Sequence, residues 1–218
     1  MSEKVILFQG DSITDADRSY TCDAYHGRGY ANMVQGQLGM ECPGTYKFYN
    51  RGISGNRVTD LYARIKRDIT NLKPDYMSIL IGINDVGHEL WGRQDGVDAD
   101  KYEKIYDMLI AEVKEALPNI KIMILEPFVL EGTGTESTLE EPERWEAFCA
   151  EVPKRIAAAK RIAEKHGLVY VPLQEKFNEL CQKAPASYWI EDGVHPTAMG
   201  HCVIKEEWMK AFQKLLSC

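Results

Sequence analysis

A serine near the start of this chain and an Asp-x-x-His motif near its end are residue types that together could carry out acyl transfer. Ser12 is the last residue of a Gly-Asp-Ser motif, and Asp192 lies three residues before His195. A serine hydroxyl is a weak nucleophile until a base removes its proton, and a histidine, with an ordinary pKa of about 6.5, suits that task near neutral pH. An aspartate can hold the imidazole and stabilise its protonated form. The pattern indicates Ser12 as nucleophile, His195 as base and Asp192 as orienting acid.

The Asp-x-x-His motif has two other interpretations when it is considered alone. It is also typical of a helix cap followed by a surface histidine. A metal site is the second alternative, but His201 follows His195 by six residues, which places it on the wrong face of a helix, and no third ligand has suitable spacing. We therefore predict no bound metal. Pro196 fits the first turn of a helix and would fix the motif against a rigid element.

Acyl transfer also needs hydrogen-bond donors aimed at the oxyanion of the tetrahedral intermediate. Two segments could supply them. In the 50–56 segment, Gly52 lets a backbone N–H approach without side-chain obstruction, and in the 82–85 segment Asn84 carries an amide. Each segment alone is more typical of turns and helix caps than of an oxyanion hole. Both segments follow predicted strands, as Ser12 does, and this common placement favours a shared site.

Apolar runs that favour β-strands alternate with helical patterns along the chain. The predicted strands are 4–9, 45–50, 75–81, 120–125 and 168–171. The predicted helices are 28–39, 57–71, 100–117, 142–166 and 196–215, with a shorter one after Pro172. Such alternation predicts a parallel sheet with helices on both faces. Ser12, Gly52, Asn84 and the Asp192/His195 pair all follow strands, at the edge where an open α/β sheet gathers its functional residues.

Length and composition favour one globular domain, residues 1–218, with 44% hydrophobic and 27% charged residues. A net charge of −7 makes nucleic acid and anionic membranes poor partners. The first residues show no leader pattern, and no apolar run approaches the roughly 20 residues that span a bilayer, so we expect a cytoplasmic protein. Irregular spacing predicts reduced thiols rather than disulfides or zinc ligands for Cys22, Cys42, Cys149, Cys181, Cys202 and Cys218.

Four short blocks occur in the order found in one known family: the 10–15 block, Gly52 within 50–56, the 82–85 block and the 192–196 block. Through them the chain resembles the SGNH (GDSL) hydrolase superfamily along its whole length. The resemblance implies a flavodoxin-like, three-layer α/β/α sandwich with five parallel strands in the order 2-1-3-4-5. It also implies ester hydrolysis without a cofactor.

The resemblance implies roles for individual residues as well. It makes Ser12, His195 and Asp192 the nucleophile, the general base and acid, and the orienting acid. Within that family pattern, the Ser12 N–H, the Gly52 N–H and the Asn84 amide would form the oxyanion hole. Supporting roles, bracing the loops that carry these groups, fall to Asp11 and Asp85.

Within the superfamily, the chain is most similar to bacterial carbohydrate acetylesterases, notably acetylxylan esterases. The similarity rests on the runs 52–56, 81–86 and 127–128. It implies a small acyl group carried by a sugar. The loops that would contact the alcohol do not match the family pattern: 17–29, 86–99 and 131–141. The polar 132–138 stretch in the last of these is either a surface loop or a lid.

Three aromatic residues, Tyr25, Trp91 and Trp189, could stack on a sugar ring, although packing is the ordinary role of such side chains. Trp189 has the best position because it lies just before Asp192. We predict an esterase that removes acetyl groups from xylo-oligosaccharides through an acyl-serine intermediate. The alternatives are a lysophospholipase or thioesterase, which would need an apolar channel, and a non-catalytic carbohydrate-binding protein. A homo-oligomer is compatible with the resemblance.

Overall fold

A computed structural model describes residues 3–217, so the prediction for Cys218 lies outside the described residues. The strands are β1 (Lys4–Gly10), β2 (Tyr46–Asn50), β3 (Tyr76–Leu80), β4 (Lys121–Leu125) and β5 (Val169–Val171). The helices are α1 (Ser12–Asp15), α2 (Tyr30–Glu41), α3 (Val58–Ala63), α4 (Ile65–Asp68), α5 (Ile83–Leu90), α6 (Ala99–Ala116), α7 (Arg144–His166), α8 (Gln174–Leu180), α9 (Ala186–Trp189) and α10 (Ala198–Ser217). A single 3₁₀ turn, Thr70–Leu72, precedes β3.

The five strands form one parallel sheet in the order β2-β1-β3-β4-β5, which confirms the predicted fold class and strand order. Central strands of such a sheet are covered on both faces, so they are apolar throughout rather than alternating. In β1, Ile6, Leu7 and Phe8 are all fully buried. Leu7 belongs to the hydrophobic cluster on one face, whereas Ile6 and Phe8 belong to the cluster on the other. The sheet therefore separates two cores.

Helices cover each core and complete the three layers. One core is closed mainly by α2 and α10, with Trp208 packed against Phe8 at 5.4 Å between ring centroids. The other is closed mainly by α3, α6 and the second half of α7. Within residues 3–217, no helix is long and apolar enough to cross a membrane.

The predicted helix over 57–71 is not continuous. It breaks at Arg64, whose backbone ends α3 and begins α4. The Arg64 side chain turns inward and donates hydrogen bonds to the Asn56 side chain, the Arg51 carbonyl and the Gly10 carbonyl. A buried guanidinium must find such partners, and a straight helix would carry it away from them. The break therefore ties this segment to the end of β1, beside Ser12.

Candidate active site

Ser12, His195 and Asp192 form a connected hydrogen-bond relay. Ser12 Oγ lies 2.8 Å from His195 Nε2, and His195 Nδ1 lies 2.7 Å from Asp192 Oδ2. Because a carboxylate only accepts, Nδ1 carries a proton toward Asp192, which leaves the Nε2 lone pair to accept from the serine hydroxyl. The relay thus has the tautomer that a general base for Ser12 requires.

Asp192 and His195 each stabilise the charged form of the other. Burial acts to raise the pKa of Asp192, but hydrogen bonds from the His195 ring and from the His195 and Val194 N–H groups prevail and lower it to about 2. The hydrogen bond to Asp192 in turn raises the pKa of His195, with partial burial opposing it. Asp192 therefore stays ionised throughout the range in which His195 titrates.

The raised His195 pKa predicts the shape of the pH profile. Only the neutral imidazole can accept the Ser12 proton, so kcat/KM should rise with pH through the His195 pKa, above its usual value of about 6.5, and then level off. A neutral to mildly alkaline optimum is expected. Measuring initial rates with 4-nitrophenyl acetate, corrected for spontaneous hydrolysis, from pH 5 to 9 checks this result. Full activity at the acid end would contradict His195 as the base.

Ser12 is placed by the abrupt change from β1 to α1. It is the first residue of α1, and the Asp11 carboxylate caps that helix by accepting from the Ile13 N–H at 3.0 Å. Gly10 has φ of 158°, and a Cβ there would collide with the Leu80 carbonyl and the Thr14 side chain. The tight packing fixes the direction in which the serine leaves the strand.

The loop that carries Asp192 and His195 is braced from a neighbouring segment. The Gly134 N–H donates to the Asp192 carbonyl at 2.8 Å, and the Leu130 N–H donates to the Gly193 carbonyl at 2.9 Å. Thr135 is fully buried, and its hydroxyl donates to the Leu130 carbonyl at 2.7 Å. The first half of the 131–141 loop is therefore packed under the Asp-x-x-His motif and supports it.

The three candidate donors of the oxyanion hole differ in whether they already donate hydrogen bonds within the protein. The Gly52 N–H donates to Asn50 Oδ1 at 2.9 Å, and the Asn84 amide donates to the Asn56 carbonyl at 3.1 Å. An amide nitrogen has two protons, so Asn84 retains one. Within residues 3–217 the Ser12 N–H has no acceptor. Ser12 and Asn84 thus offer uncommitted donors, whereas Gly52 would have to share its proton with Asn50.

The absence of a side chain at Gly52 has a separate structural cause. A Cβ there would collide with the backbone of Thr14 and Asp15 in α1. Close approach of the 50–56 loop to α1 is thus possible only with glycine. The glycine therefore positions this loop against the helix that begins with Ser12. This role does not depend on whether the Gly52 N–H also joins the oxyanion hole.

The two supporting aspartates, Asp11 and Asp85, are both fully buried and both accept from backbone N–H groups. Asp85 accepts from the Val58 N–H at 3.1 Å and so joins the start of α3 to α5, which carries Asn84. Burial raises the pKa of Asp11 and that of Asp85 to about 7 each, against the lowering effect of these N–H groups. Both positions are consistent with the bracing predicted for them.

Sequence reasoning gave no role to Asp15, Arg18 or Tyr20, which hold the 50–56 loop from the other side. Asp15 is buried and accepts from the backbone N–H and the hydroxyl of Ser54, both at 3.0 Å, and from the Tyr20 hydroxyl. Arg18 Nε donates to the Gly52 carbonyl at 2.6 Å. Asp15 is the last residue of the 10–15 block, which was a usable signal, but nothing in the sequence marks the other two.

A cleft of about 290 Å³ opens beside Ser12 and His195. Its walls are mostly polar and include Asp17, Arg28, Ser54, Glu191 and His201. Asp17 and Arg28 form an exposed ion pair with 2.7 Å between Oδ2 and Nε. The relay therefore faces a small hydrophilic space rather than an apolar channel.

None of the three aromatic residues predicted to contact sugar lines this cleft. Tyr25 is 59% exposed on the 17–29 loop. Trp91 packs against Phe148 and donates its Nε1 proton to the Gly134 carbonyl at 2.8 Å, so it braces the 131–141 loop. Trp189 is half-buried against the core, with a T-shaped contact to Tyr188. The structure does not bring these rings to Ser12.

Comparison with known proteins agrees with this geometry. Residues 8–203 match the GDSL-like lipase/acylhydrolase family. The chain belongs to this family. It is accordingly a carboxylic ester hydrolase, as predicted. A curated relative is the acetylxylan esterase of Geobacillus stearothermophilus, 32% identical over 96% of this chain and 94% of the relative.

Solved structures of family members superpose over nearly the whole chain. A protein described as a GDSL-like lipase from Parabacteroides merdae gives a TM-score of 0.88 at 35% identity, covering 96% of this chain and 95% of its own. The Geobacillus acetylxylan esterase gives 0.81 at 32% identity, covering 96% and 94%. Catalytic mutants of that esterase have an aspartate or a serine replaced by alanine. Each superposition supports the three-layer fold described above.

Loss of the Asn84 amide tests the oxyanion hole. We expect Asn84→Ala to lower kcat by about 10²–10³, with little change in KM, because the donor acts mainly on the charge that develops in the transition state. Steady-state kinetics on 4-nitrophenyl acetate measures the split between kcat and KM. Thermal unfolding is the control, since Asn84 also bonds to the Asn56 carbonyl. A folded variant with unchanged kcat would remove Asn84 from the oxyanion hole.

Proposed function

We propose that this hydrolase removes acetyl groups from neutral carbohydrates, acetylated xylo-oligosaccharides foremost, through an acetyl-Ser12 intermediate. The observation that carries the proposal is the Ser12–His195–Asp192 relay opening into a small polar cleft. Similarity to an acetylxylan esterase over 96% of the chain supports the choice of substrate.

The reaction follows from the geometry of the relay. His195 Nε2 takes the Ser12 proton as Oγ attacks the acetyl carbonyl, and the Ser12 N–H and the Asn84 amide stabilise the oxyanion. Collapse of the intermediate breaks the bond to the sugar oxygen, which receives the proton from His195. Water, deprotonated by His195, then attacks acetyl-Ser12 and forms a second tetrahedral intermediate. Collapse of this intermediate releases acetate, and His195 returns the proton to Ser12 Oγ.

The charge of the cleft separates the proposed substrate from the alternatives. Asp17 and Glu191 place two carboxylates near Ser12, against one cation from Arg28, in a protein whose net charge is −7. A lysophospholipid or a coenzyme A thioester would bring phosphate charges toward these carboxylates, which repel them. A sugar ester carries no charge and can use the polar walls. A purely binding role would have no need for an oriented nucleophile and base.

The proposal includes a setting and partners. We place the enzyme in the cytoplasm with sugar esters as its substrates, without nucleic acid or membrane partners, and we keep a homo-oligomer as a prediction. Free thiols at five described cysteines support a reducing compartment: Cys22, Cys42, Cys149, Cys181 and Cys202.

A ladder of 4-nitrophenyl esters from acetate to palmitate tests the acyl preference. An apolar channel would favour longer chains, by about 0.8 kcal/mol for each buried methylene. The polar cleft offers no such gain, so we expect kcat/KM to be highest for acetate and to fall steeply beyond butyrate. A comparison of wild type and Ser12→Ala for acetate release from acetylated xylo-oligosaccharides tests whether the enzyme accepts a sugar as the alcohol half of the ester. A Ser12-dependent preference for long chains would instead favour lipid or thioester substrates.

A further inference from the structure

His201 lies on α10, six residues beyond the catalytic base, and its ring reaches the cleft that contains Ser12 and His195. Only 6% of its surface is exposed. Its Nδ1 atom is 3.2 Å from the backbone nitrogen of Tyr30, which donates to it. Because a backbone N–H can only donate, Nδ1 holds a lone pair, and the proton of the neutral ring is therefore on Nε2.

The ring is fixed along its Nδ1 edge by α2 and the residue before it. A Cβ at Gly29 would lie 2.9 Å from His201 Cε1 and 3.2 Å from Nδ1, so this edge is tightly packed. The Tyr30 ring stacks on the imidazole, with 6.5 Å between centroids and 25° between planes. Because His201 lines the cleft, we infer that the opposite edge, with Nε2, is the part of the ring that faces it.

The Nε2 proton has no partner within residues 3–217, although the atom is not sealed inside the protein. Burial, together with the smaller effect of the positive charges of Arg28 and His195, lowers the pKa of His201 to about 4. At the pH where the catalytic base is neutral, His201 is neutral too, and it presents a single fixed donor. A donor held in place beside a nucleophile, with no acceptor of its own, is suited to binding an oxygen of the substrate.

We propose that His201 is a substrate-binding residue whose Nε2–H donates to an acceptor oxygen in the alcohol half of the ester, a hydroxyl or ring oxygen of the sugar. The inference rests on the proposed function. The only hydrogen-bond acceptor in the acetyl half is its carbonyl oxygen, which accepts from the Ser12 N–H and the Asn84 amide. The methyl group cannot accept a hydrogen bond. A further acceptor must therefore come from the alcohol. His201 would orient the sugar so that its acetylated oxygen meets Ser12.

Two substitutions separate this role from a purely structural one. In His201→Asn, Oδ1 can replace Nδ1 as acceptor for the Tyr30 N–H, but the amide nitrogen takes the position of Cδ2 and falls short of the position of Nε2. In His201→Gln, the longer amide can replace the Nε2–H donor, but the bond to Tyr30 is lost. A mono-acetylated methyl xyloside supplies acceptor oxygens beside the ester, whereas 4-nitrophenyl acetate supplies none at the corresponding positions.

We expect His201→Asn to lower kcat/KM on the acetylated xyloside, mainly through KM, by about tenfold more than it lowers kcat/KM on 4-nitrophenyl acetate. His201→Gln should recover most of the activity on the xyloside. In wild type, NMR of the His201 Nε2–H should show a shift when xylobiose is added, which needs no variant to fold.

Three outcomes would overturn the inference. An Asn variant that retains the wild-type rate on the xyloside would leave His201 with only its bond to Tyr30. Equal losses on both substrates, with an unmoved NMR signal, would do the same. If wild type hydrolyses aryl acetates in a Ser12-dependent manner but no acetylated sugar, the proposed function itself fails, and the inference fails with it. The wild-type substrate test distinguishes that case before any His201 variant is made.

Discussion

Ser12→Ala is expected to lower kcat/KM by about five to six orders of magnitude, because it removes the atom that forms the bond to the acyl group. In the structure that atom lies 2.8 Å from the base that activates it. The variant should fold normally, since the side chain is small and its neighbours Asp11 and Ile13 keep the helix cap. Acetate release from 4-nitrophenyl acetate at high enzyme concentration measures the residual rate.

Ser54→Ala is the matched control for this prediction. Ser54 is a second serine in the same cleft, but its hydroxyl bonds to Asp15 rather than to the base. Its loss removes one hydrogen bond, worth about 1 kcal/mol, so we expect an effect of no more than about tenfold. His195→Ala should cost about as much as Ser12→Ala, and the double variant no more than either. Residual activity of several per cent in Ser12→Ala would show that another group attacks the ester.

Asp192→Asn is expected to lower kcat by about 10⁴ without unfolding the protein. The substituted amide would present a donor to His195 Nδ1 or accept only weakly, so the ring would lose the tautomer that leaves Nε2 free. The Asn carbonyl can still accept from the Val194 and His195 N–H groups, which now donate to Asp192 Oδ1 at 2.9 and 2.8 Å. The loop should therefore retain its shape.

The pH profile gives this prediction a second readout. The hydrogen bond to Asp192 raises the His195 pKa, so the substitution should shift the acid limb of the remaining activity to lower pH. Glu191→Gln is the control, because it removes the adjacent carboxylate without touching the ring contact and should change kcat far less. If both substitutions had the same small effect, Asp192 would be acting only through general electrostatics.

The β-strands, and the polar residues that follow their carboxyl ends, could be predicted because the local sequence determines them. Central parallel strands are buried on both faces, so runs such as Ile6-Leu7-Phe8 identify themselves, and the polar residues just after them fall at one edge of the sheet. The strand order and the oxyanion role of the Ser12 N–H came from the resemblance to a family, whereas Gly52 and Asn84 were already candidates from their positions after strands. The order is confirmed, whereas the oxyanion roles stay predictions.

Short helices and contacts between residues distant in the sequence could not be predicted from the sequence. Helix α1 has four residues and α5 has eight, the latter preceded by Gly82 with φ of 139°, so neither shows a long amphipathic repeat. The break at Arg64 depends on acceptors distant in sequence, among them the Gly10 carbonyl. Spacing from His195 indicated only that His201 was unsuited to a shared metal site. Its position in the cleft depends on Gly29 and Tyr30, about 170 residues away, and no local pattern encodes that contact.

Covalent labelling tests the central claim, that Ser12 is the nucleophile, most directly. Diethyl 4-nitrophenyl phosphate transfers a stable diethylphosphoryl group to an activated serine. We predict that inactivation of the wild type goes with one added group, found by peptide mass spectrometry on Ser12, and that Ser12→Ala takes up none. Activity that survives complete labelling of Ser12, or inactivation with the group on another residue, would contradict the account.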